Sequence, residues 1–197
     1  GSTGFIGKSL VNNLIKDNKI IYPIIRKNIK NLKFSNKLKK KYKNYFPIFF
    51  RNNEELKSKI LRVKPNIVIN LATNFIPYPF HSQLSEIMNS NVIFPTLVLD
   101  VCCKVKVTKF INLCSIAQCN KNEIDNPQNF YAMTKIMFKK SMSYYKKKNP
   151  KINAQKKQKF LQSRKLFTHQ YGDAFSLLKA FTLFREFYDY SQCGSMP

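Results

Sequence analysis

The sequence of 197 residues contains few acids, few arginines, few glycines and no tryptophan. Its 10 Asp and Glu stand against 35 Lys and Arg, which gives a formal net charge of +25. Lysine supplies 30 of those 35 basic residues, and asparagine is also frequent, at 21. Nucleic-acid surfaces favour arginine, which binds phosphates and base edges through paired hydrogen bonds. The shortage of arginine therefore indicates a compositional bias, and a basic nucleic-acid-binding protein is the least favoured interpretation.

Disulfide patterns, metal-site spacings and long apolar runs are also lacking. Five cysteines are an odd number in a long chain, and all but Cys193 lie in apolar or motif segments, which favours a reducing, cytoplasmic setting. His81 and His169 have no Cys or Asp at metal-ligand spacing, so no metal is predicted. No stretch approaches the roughly 18 apolar residues of a membrane span. Neither a disulfide scaffold nor a membrane partner is expected.

Apolar side chains are present in sufficient number for a sizeable core. The chain is 44% hydrophobic and holds 17 Phe and 10 Tyr, which argues against disorder despite the charge. Apolar spacing predicts helices over residues 5–16, 54–63, 84–103 and 130–145, the third with a kink or boundary at Pro95. Short apolar runs predict strands over 20–25, 66–72 and 107–113, and residues 26–47 are predicted as a solvated connection. This alternation favours an α/β domain with a parallel sheet.

Three glycines stand at the start of the first predicted helix. Gly1, Gly4 and Gly7 are spaced three residues apart. Glycines in this position let the backbone approach a pyrophosphate, and a helix N-terminus supplies N–H donors and the positive end of a dipole. The spacing alone is a weak signal, so an ordinary flexible terminus is the alternative. The strand that should precede such a loop is missing from the chain, which indicates a fragment.

A tyrosine and a lysine share one face of the last predicted helix. Tyr131 and Lys135 are four residues apart, and Ser115 follows the strand predicted at 107–113. A nearby ammonium lowers the cost of forming a phenolate, so Tyr131 would act as an acid or base near neutral pH. Ser115 would lie at the carboxyl edge of the sheet, where ligands bind. The alternative is an exposed Tyr/Lys pair with no chemical role.

Together these motifs resemble the extended short-chain dehydrogenase/reductase family, the NAD(P)-dependent nucleotide-sugar epimerases and dehydratases. The resemblance covers about residues 1–149 and includes Asn66-Ile-Val-Ile-Asn-Leu-Ala72, which is similar to the family's third-strand motif. Asn91 begins a segment like the family's "N…G-T" helix, with Pro95 where Gly is usual. The segments 110–119 and 126–135 are most similar to dideoxyhexose (abequose-like) synthases. Farther on, only 166–172 resembles a family segment, with Asp173 in place of its Pro.

The resemblance implies a Rossmann-like, doubly wound parallel sheet whose first strand is missing from this chain. It implies an NAD(P)-binding domain over 1–149 and a divergent or incomplete substrate region over 150–197. The implied catalytic residues are Tyr131 as the acid/base, Lys135, which lowers its pKa and binds ribose, and Ser115, which polarises the substrate oxygen. The implied cofactor-binding residues are Gly1, Gly4, Phe5, Ile6, Gly7, Arg26, Leu71, Ala72, Asn91 and Lys135.

The resemblance also implies a nucleotide-sugar reductase or epimerase. Dehydratase chemistry is disfavoured because Ile116-Ala117 follow Ser115 where dehydratases carry Asp-Glu. Arg26-Lys27 end the second strand of the implied fold without an acid, which favours NADP over NAD as cofactor. The partners implied are a nucleotide sugar and a second copy in a possible homodimer. A non-catalytic dinucleotide-binding or interaction module on the same fold is the alternative.

Overall fold

Helices and strands alternate through the part of the chain that can be described. The computed structural model describes residues 1–26, 29–105, 107–120, 123–149 and 153–157. The chain divides into two units, Gly1–Gln158 and Lys159–Pro197, and all described residues lie in the first. Lys27, His169, Cys193 and the segment at 166–173 lie outside the described residues.

The elements follow one another in a repeated strand–helix order. The helices are α1 (Phe5–Lys16), α2 (Ile29–Lys41), α3 (Asn53–Val63), α4 (Leu84–Met88), α5 (Phe94–Lys104) and α6 (Phe130–Lys148). The strands are β1 (Ile24–Arg26), β2 (Ile48–Phe50), β3 (Ile67–Asn70), β4 (Lys109–Leu113), β5 (Cys119–Asn120), β6 (Glu123–Ile124) and β7 (Asn153–Lys157). Short 3-10 turns lie at His81–Gln83 and Ile116–Gln118, and a π-helical turn lies at Asn89–Ile93.

The longer strands pair in parallel, as the alternation predicts. β1 pairs with β2, and β4 lies between β3 and β7 in a second sheet. β5 and β6 form a short antiparallel pair. Strand β7 lies beyond residue 149, where the sequence was divided into two regions. Parallel strands joined by helices require crossover connections, which α2, α5 and α6 supply between the paired strands.

Two hydrophobic clusters cover the strands. One contains buried side chains of α3, α5 and α6 with β2 and β4, among them Leu56, Leu99 and Phe138. The other contains Val11 and Ile15 of α1 with Tyr45, and a partly buried leucine of α2 packs against it. Separate clusters, each with its own helices, are what the two faces of a doubly wound sheet need.

The solvated connection predicted over residues 26–47 is wrong. This stretch forms α2 and leads to a buried Tyr45, whose hydroxyl lies 3.0 Å from that of Ser35. Strand β2 follows directly and was also missed. Leu38 and Tyr42 do recur at helical spacing, but the stripe is narrow and surrounded by lysines, so the polar composition concealed it.

The long helical stretch predicted at 84–103 is divided before Pro95. Helix α4 passes through the π-helical turn into α5, which carries Pro95 in its first turn. Pro95 has no N–H to donate to the preceding turn, so a change in hydrogen-bond pattern is expected there. By length and composition alone, the stretch His81–Lys104 is long and apolar enough to cross a membrane, with a mean hydropathy of 1.2 over an 18-residue window. This contradicts the expectation that no stretch of the sequence approaches the length and apolarity of a membrane span. Leu99 and Cys102 of this stretch are nevertheless completely buried in the core.

Candidate active site

The start of α1 presents unpaired backbone donors. The helix begins after Gly4, which has an extended conformation and provides no side-chain cap, and no acid lies in the first turn. The first N–H groups of a helix have no partner within it. With the helix dipole, they attract an anion such as a phosphate. The residues that carry these groups, Phe5, Ile6 and Gly7, fit the pyrophosphate site predicted for them.

Each glycine of the loop has a different steric environment. A Cβ atom on Gly1 would clash with the carbonyl carbon of Leu71, and one on Gly7 would clash with the oxygen of Gly1. Gly1 and Gly7 therefore allow close packing inside the protein. A Cβ on Gly4 would meet only the oxygen of Gly1, at 3.4 Å. The space beside Gly4 is open, which is what a bound pyrophosphate requires.

Substitutions at Gly4 and Gly7 should separate cofactor binding from folding. In the protein as its gene encodes it, Gly4→Val should weaken dinucleotide affinity by on the order of tenfold or more. Its stability should change little, because the φ of −72° suits any residue. Gly7→Ala should destabilise the fold by about 1–3 kcal/mol, since backbone atoms must move. Calorimetric titration and thermal melts measure both effects, and an unchanged affinity in Gly4→Val would exclude the pyrophosphate assignment.

Tyr131 and Lys135 are both buried at the beginning of α6. Asn129 caps this helix by accepting a hydrogen bond from Ala132 N at 2.9 Å. Tyr131 is 9% exposed and Lys135 is 5% exposed. The Nζ atom of Lys135 lies 5.6 Å from the centroid of the Tyr131 ring, over its face. The exposed pair that was the alternative interpretation is therefore not what the structure contains.

Burial shifts the proton affinities of this pair in opposite directions. It raises the pKa of Tyr131 above its ordinary value, although a hydrogen bond with the Thr73 side chain lowers it in part. It lowers the pKa of Lys135 from 10.5 to about 8, and the nearby Cys114 offsets some of that change. A lysine that can lose its proton this close to neutrality is unusual outside functional sites.

Ser115 follows the carboxyl end of β4, as predicted. Its Oγ accepts a hydrogen bond from Ala117 N at 3.3 Å, and its backbone N donates to Gln118 Oε1 at 2.8 Å. The O–H of Ser115 keeps its donor function toward a ligand. The preceding residue, Cys114, interacts electrostatically with both Tyr131 and Lys135. The carboxyl end of β4 therefore lies at the start of α6.

A buried asparagine joins the segment after β3 to α6. Asn91 is 1% exposed, and its Oδ1 accepts from Thr73 Oγ1 at 3.2 Å and from Asn74 N at 2.7 Å. Its Nδ2 donates to Asn74 O at 2.9 Å and to Thr134 Oγ1 at 3.0 Å. All four hydrogen-bonding positions of the amide are filled. Asn91 thus holds the segment in place, and the cofactor contact predicted for it would require one of these bonds to break.

The remaining predicted cofactor residues lie at the same edge. The backbone of Leu71 and Ala72 packs directly against Gly1, and Arg26 lies at the end of β1. The ends of β3 and β4 are joined by a 2.8 Å hydrogen bond from Asn70 Nδ2 to Asn112 Oδ1. In the described part of the chain, no three His, Cys, Asp or Glu side chains form a metal-binding group.

The arrangement corresponds to a known enzyme family. The family model for the NAD dependent epimerase/dehydratase family matches residues 1–155. The chain belongs to this family. Its Rossmann-like fold and parallel strands agree with the fold class implied by the motifs. No curated protein sequence matches the chain.

Solved structures with this fold include sugar-nucleotide enzymes. The UDP-Glc/GlcNAc 4-epimerase from Campylobacter jejuni has a TM-score of 0.62 at 16% identity, over 78% of this chain and 50% of that chain. The UDP-glucuronic acid 4-epimerase from Bacillus cereus, in complex with NAD, has a TM-score of 0.62 at 22% identity, over 78% and 52%. MoeE5, in complex with UDP-glucose and NAD, has a TM-score of 0.60 at 16% identity, over 78% and 50%. This family member spans about half the length of these neighbours.

Sequence reasoning missed several residues around Tyr131. Thr73 hydrogen-bonds to the phenol, and Phe75 places its ring 4.8 Å from that of Tyr131, edge to face. Thr134 lies inside the Tyr131–Lys135 motif but was not singled out. A polar pair directly after a predicted strand, Thr73-Asn74, was a signal that this segment belongs to the site.

Proposed function

We propose that this family member is a nicotinamide-dependent nucleotide-sugar epimerase or reductase in which Tyr131 carries the proton. The observation that carries the proposal is the burial of Tyr131 and Lys135 together beside the carboxyl end of β4. Burying an ionisable group lowers the stability of a fold, and such groups therefore occur most often at functional sites. The open space beside Gly4 and the donors of α1 fit the dinucleotide that the family name requires.

The chemistry assigned to this chain is proton transfer and orientation. A bound nicotinamide supplies the group that takes up or returns a hydride. Tyr131 Oη takes the proton of the sugar hydroxyl as that carbon is oxidised and returns it on reduction. The Lys135 ammonium stabilises the phenolate, and the O–H of Ser115 donates to the sugar oxygen. Thr73 and Asn91 keep the phenol and the facing segment in place.

Two reactions remain within the proposal, and one experiment distinguishes them. Two of the structural neighbours are UDP-sugar 4-epimerases, whereas segments 110–119 and 126–135 resemble dideoxyhexose synthases. An epimerase regenerates its cofactor in each turnover, so UDP-glucose or UDP-glucuronic acid should be converted with catalytic NAD. A reductase consumes one reduced cofactor per product. NMR of the sugar with absorbance at 340 nm measures both, and no conversion of any nucleotide sugar would favour the non-catalytic module.

Arg26 should distinguish the two nicotinamide cofactors. It ends β1 and its side chain is exposed, so a 2′-phosphate would meet a positive charge there. Arg26→Asp should weaken NADPH binding by about tenfold more than NADH binding. Arg62→Asp, which makes the same charge change on the exposed side of α3, is the control and should affect both alike. Equal losses in Arg26→Asp, measured by cofactor fluorescence, would show that Arg26 does not bind the phosphate.

The proposal includes a homodimer in the cytoplasm. Ile93 in the turn before α5, Leu97 in α5 and Met137 in α6 remain 48%, 39% and 37% exposed. An apolar surface of this kind is suited to a second copy of the chain. Light scattering of wild type and of Leu97→Lys tests the dimer, and cell fractionation tests the location.

A further inference from the structure

The segment after β3 presents three aromatic rings to solvent, and one of them differs from the others. Phe75, Tyr78 and Phe80 are 66%, 79% and 77% exposed. The ring of Phe75 meets the ring of Tyr131 at a centroid distance of 4.8 Å and an angle of 76°. Among the described residues, Phe80 makes no ring contact of this kind. Phe75 therefore combines an exposed apolar face with direct contact to the residue that carries the proton.

Phe75 is fixed in this position by backbone contacts on both sides. Before it, the N–H and C=O of Asn74 are both bonded to the buried amide of Asn91. After it, Pro77 O accepts a hydrogen bond from Phe130 N at 3.1 Å, at the beginning of α6. A side chain between two such anchors keeps its place without being buried. Its exposure is therefore a fixed feature of the site rather than that of a free loop tip.

An apolar ring held exposed beside a reactive group is prepared for a ligand. Contact with a ligand would remove apolar surface from water, and a ring already in position loses little conformational freedom. A pyranose presents polar hydroxyls at its edge and C–H groups on its faces. The hydroxyl that reacts must reach Tyr131 Oη, so the ring that bears it must lie beside Phe75.

We propose that Phe75 is the apolar wall against which the C–H face of the pyranose ring packs while its hydroxyl meets Tyr131. This inference rests on the proposed function and assigns the substrate class as nucleotide-activated pyranoses. Phe75 determines substrate affinity, and it takes no part in proton transfer. Two other roles give different results: contact with the nicotinamide would alter cofactor affinity, and shielding of Tyr131 would alter the pH profile.

The test compares Phe75→Ala with Phe75→Tyr in the protein as its gene encodes it. Phe75→Ala should raise KM for the nucleotide sugar by about tenfold, with kcat, the cofactor Kd and the midpoint of the kcat–pH profile unchanged. Phe75→Tyr keeps the ring and should restore the wild-type KM. Phe80→Ala removes an equally exposed ring and should leave all four quantities unchanged. Circular dichroism verifies the fold of each variant. Phe75→Leu is a second substitution, and its KM should lie between those of the wild type and Phe75→Ala.

The outcomes separate this inference from the function on which it rests. If the wild-type protein converts no nucleotide sugar, the proposed function itself fails. If it does convert one and Phe75→Ala keeps the wild-type KM, only the role of Phe75 is excluded. A loss confined to cofactor affinity, or a shifted pH midpoint at unchanged KM, would also overturn the sugar contact.

Discussion

Tyr131→Phe should lower the rate of nucleotide-sugar conversion by about 10² to 10⁴, the usual contribution of a general acid or base. The substitution removes the phenolic O–H and nothing else. The ring still fills its buried position against Phe75 and beneath the ammonium of Lys135. Cofactor affinity and the melting temperature should therefore remain close to those of the wild type.

Steady-state kinetics with UDP-glucose and cofactor titration by fluorescence measure this prediction. Tyr144→Phe is the matched control, because it removes a phenolic O–H from the exposed side of the same helix. It should keep the full rate. Full turnover in Tyr131→Phe would remove the proton carrier from the mechanism and favour a non-catalytic module on the same fold.

The Tyr131–Lys135 pair was predictable because its chemistry is local. Residues four apart on a helix share a face, and the helix predicted at 130–145 forms at Phe130–Lys148. The three glycines were predictable for the same reason, since their spacing before an amphipathic helix is a local pattern. Which glycine meets backbone and which meets open space required the fold, because Leu71 is 70 residues from Gly1.

The contacts around Tyr131 could not be predicted, because they join distant parts of the chain. Asn91 lies 43 residues from Thr134, yet their side chains bond at 3.0 Å. Asn91 was selected from a family resemblance, and its saturated hydrogen bonding appears only in three dimensions. Thr73 approaches the phenol from the segment that directly follows the strand predicted at 66–72. Hydrophobic periodicity locates helices and strands, but it contains no information about which polar side chains meet between them.

The electrostatics of the pair also differ from the simplest expectation. From the motif, Lys135 should lower the pKa of Tyr131. In the structure, burial dominates for both groups, so the pKa of Tyr131 is raised while that of Lys135 falls to about 8. The ammonium lies over the ring face, 5.6 Å from its centroid.

Lys135→Met should make the fold more stable at neutral pH. Burial lowers the pKa of Lys135 from its ordinary 10.5 to about 8, so below pH 8 the folded protein contains a buried ammonium. Removing that charge should raise the free energy of unfolding by up to about 3 kcal/mol at pH 7. The gain should shrink as the pH rises from about 8 to 10.5, where the wild-type lysine is neutral in either state. Denaturant unfolding at pH 7 and 10 measures it, and a destabilised variant would contradict the cost assigned to this charge.

The same substitution should displace the pH dependence of sugar oxidation. In the wild type, kcat should rise with pH through about 8, where Lys135 loses its proton and can accept the one that Tyr131 takes from the sugar. Lys135→Met leaves Tyr131 alone, and burial holds its pKa above the ordinary 10. The rising limb should therefore move above pH 10. A displacement of two pH units corresponds to about 100-fold less reactive enzyme at neutral pH.

The profile of kcat from pH 6 to 10.5, with UDP-glucose and saturating cofactor, tests this displacement. Lys139→Met is the control. Lys139 lies one turn after Lys135 in α6 and bonds to Asp125, so its removal leaves the Tyr131–Lys135 pair intact. It should keep the rising limb near pH 8. Denaturant unfolding shows whether Lys135→Met is folded, so a lower rate in the folded variant cannot be attributed to unfolding. A limb that stays near pH 8 in Lys135→Met would mean that another group takes the proton, and Cys114, which interacts with both members of the pair, would be the next to substitute.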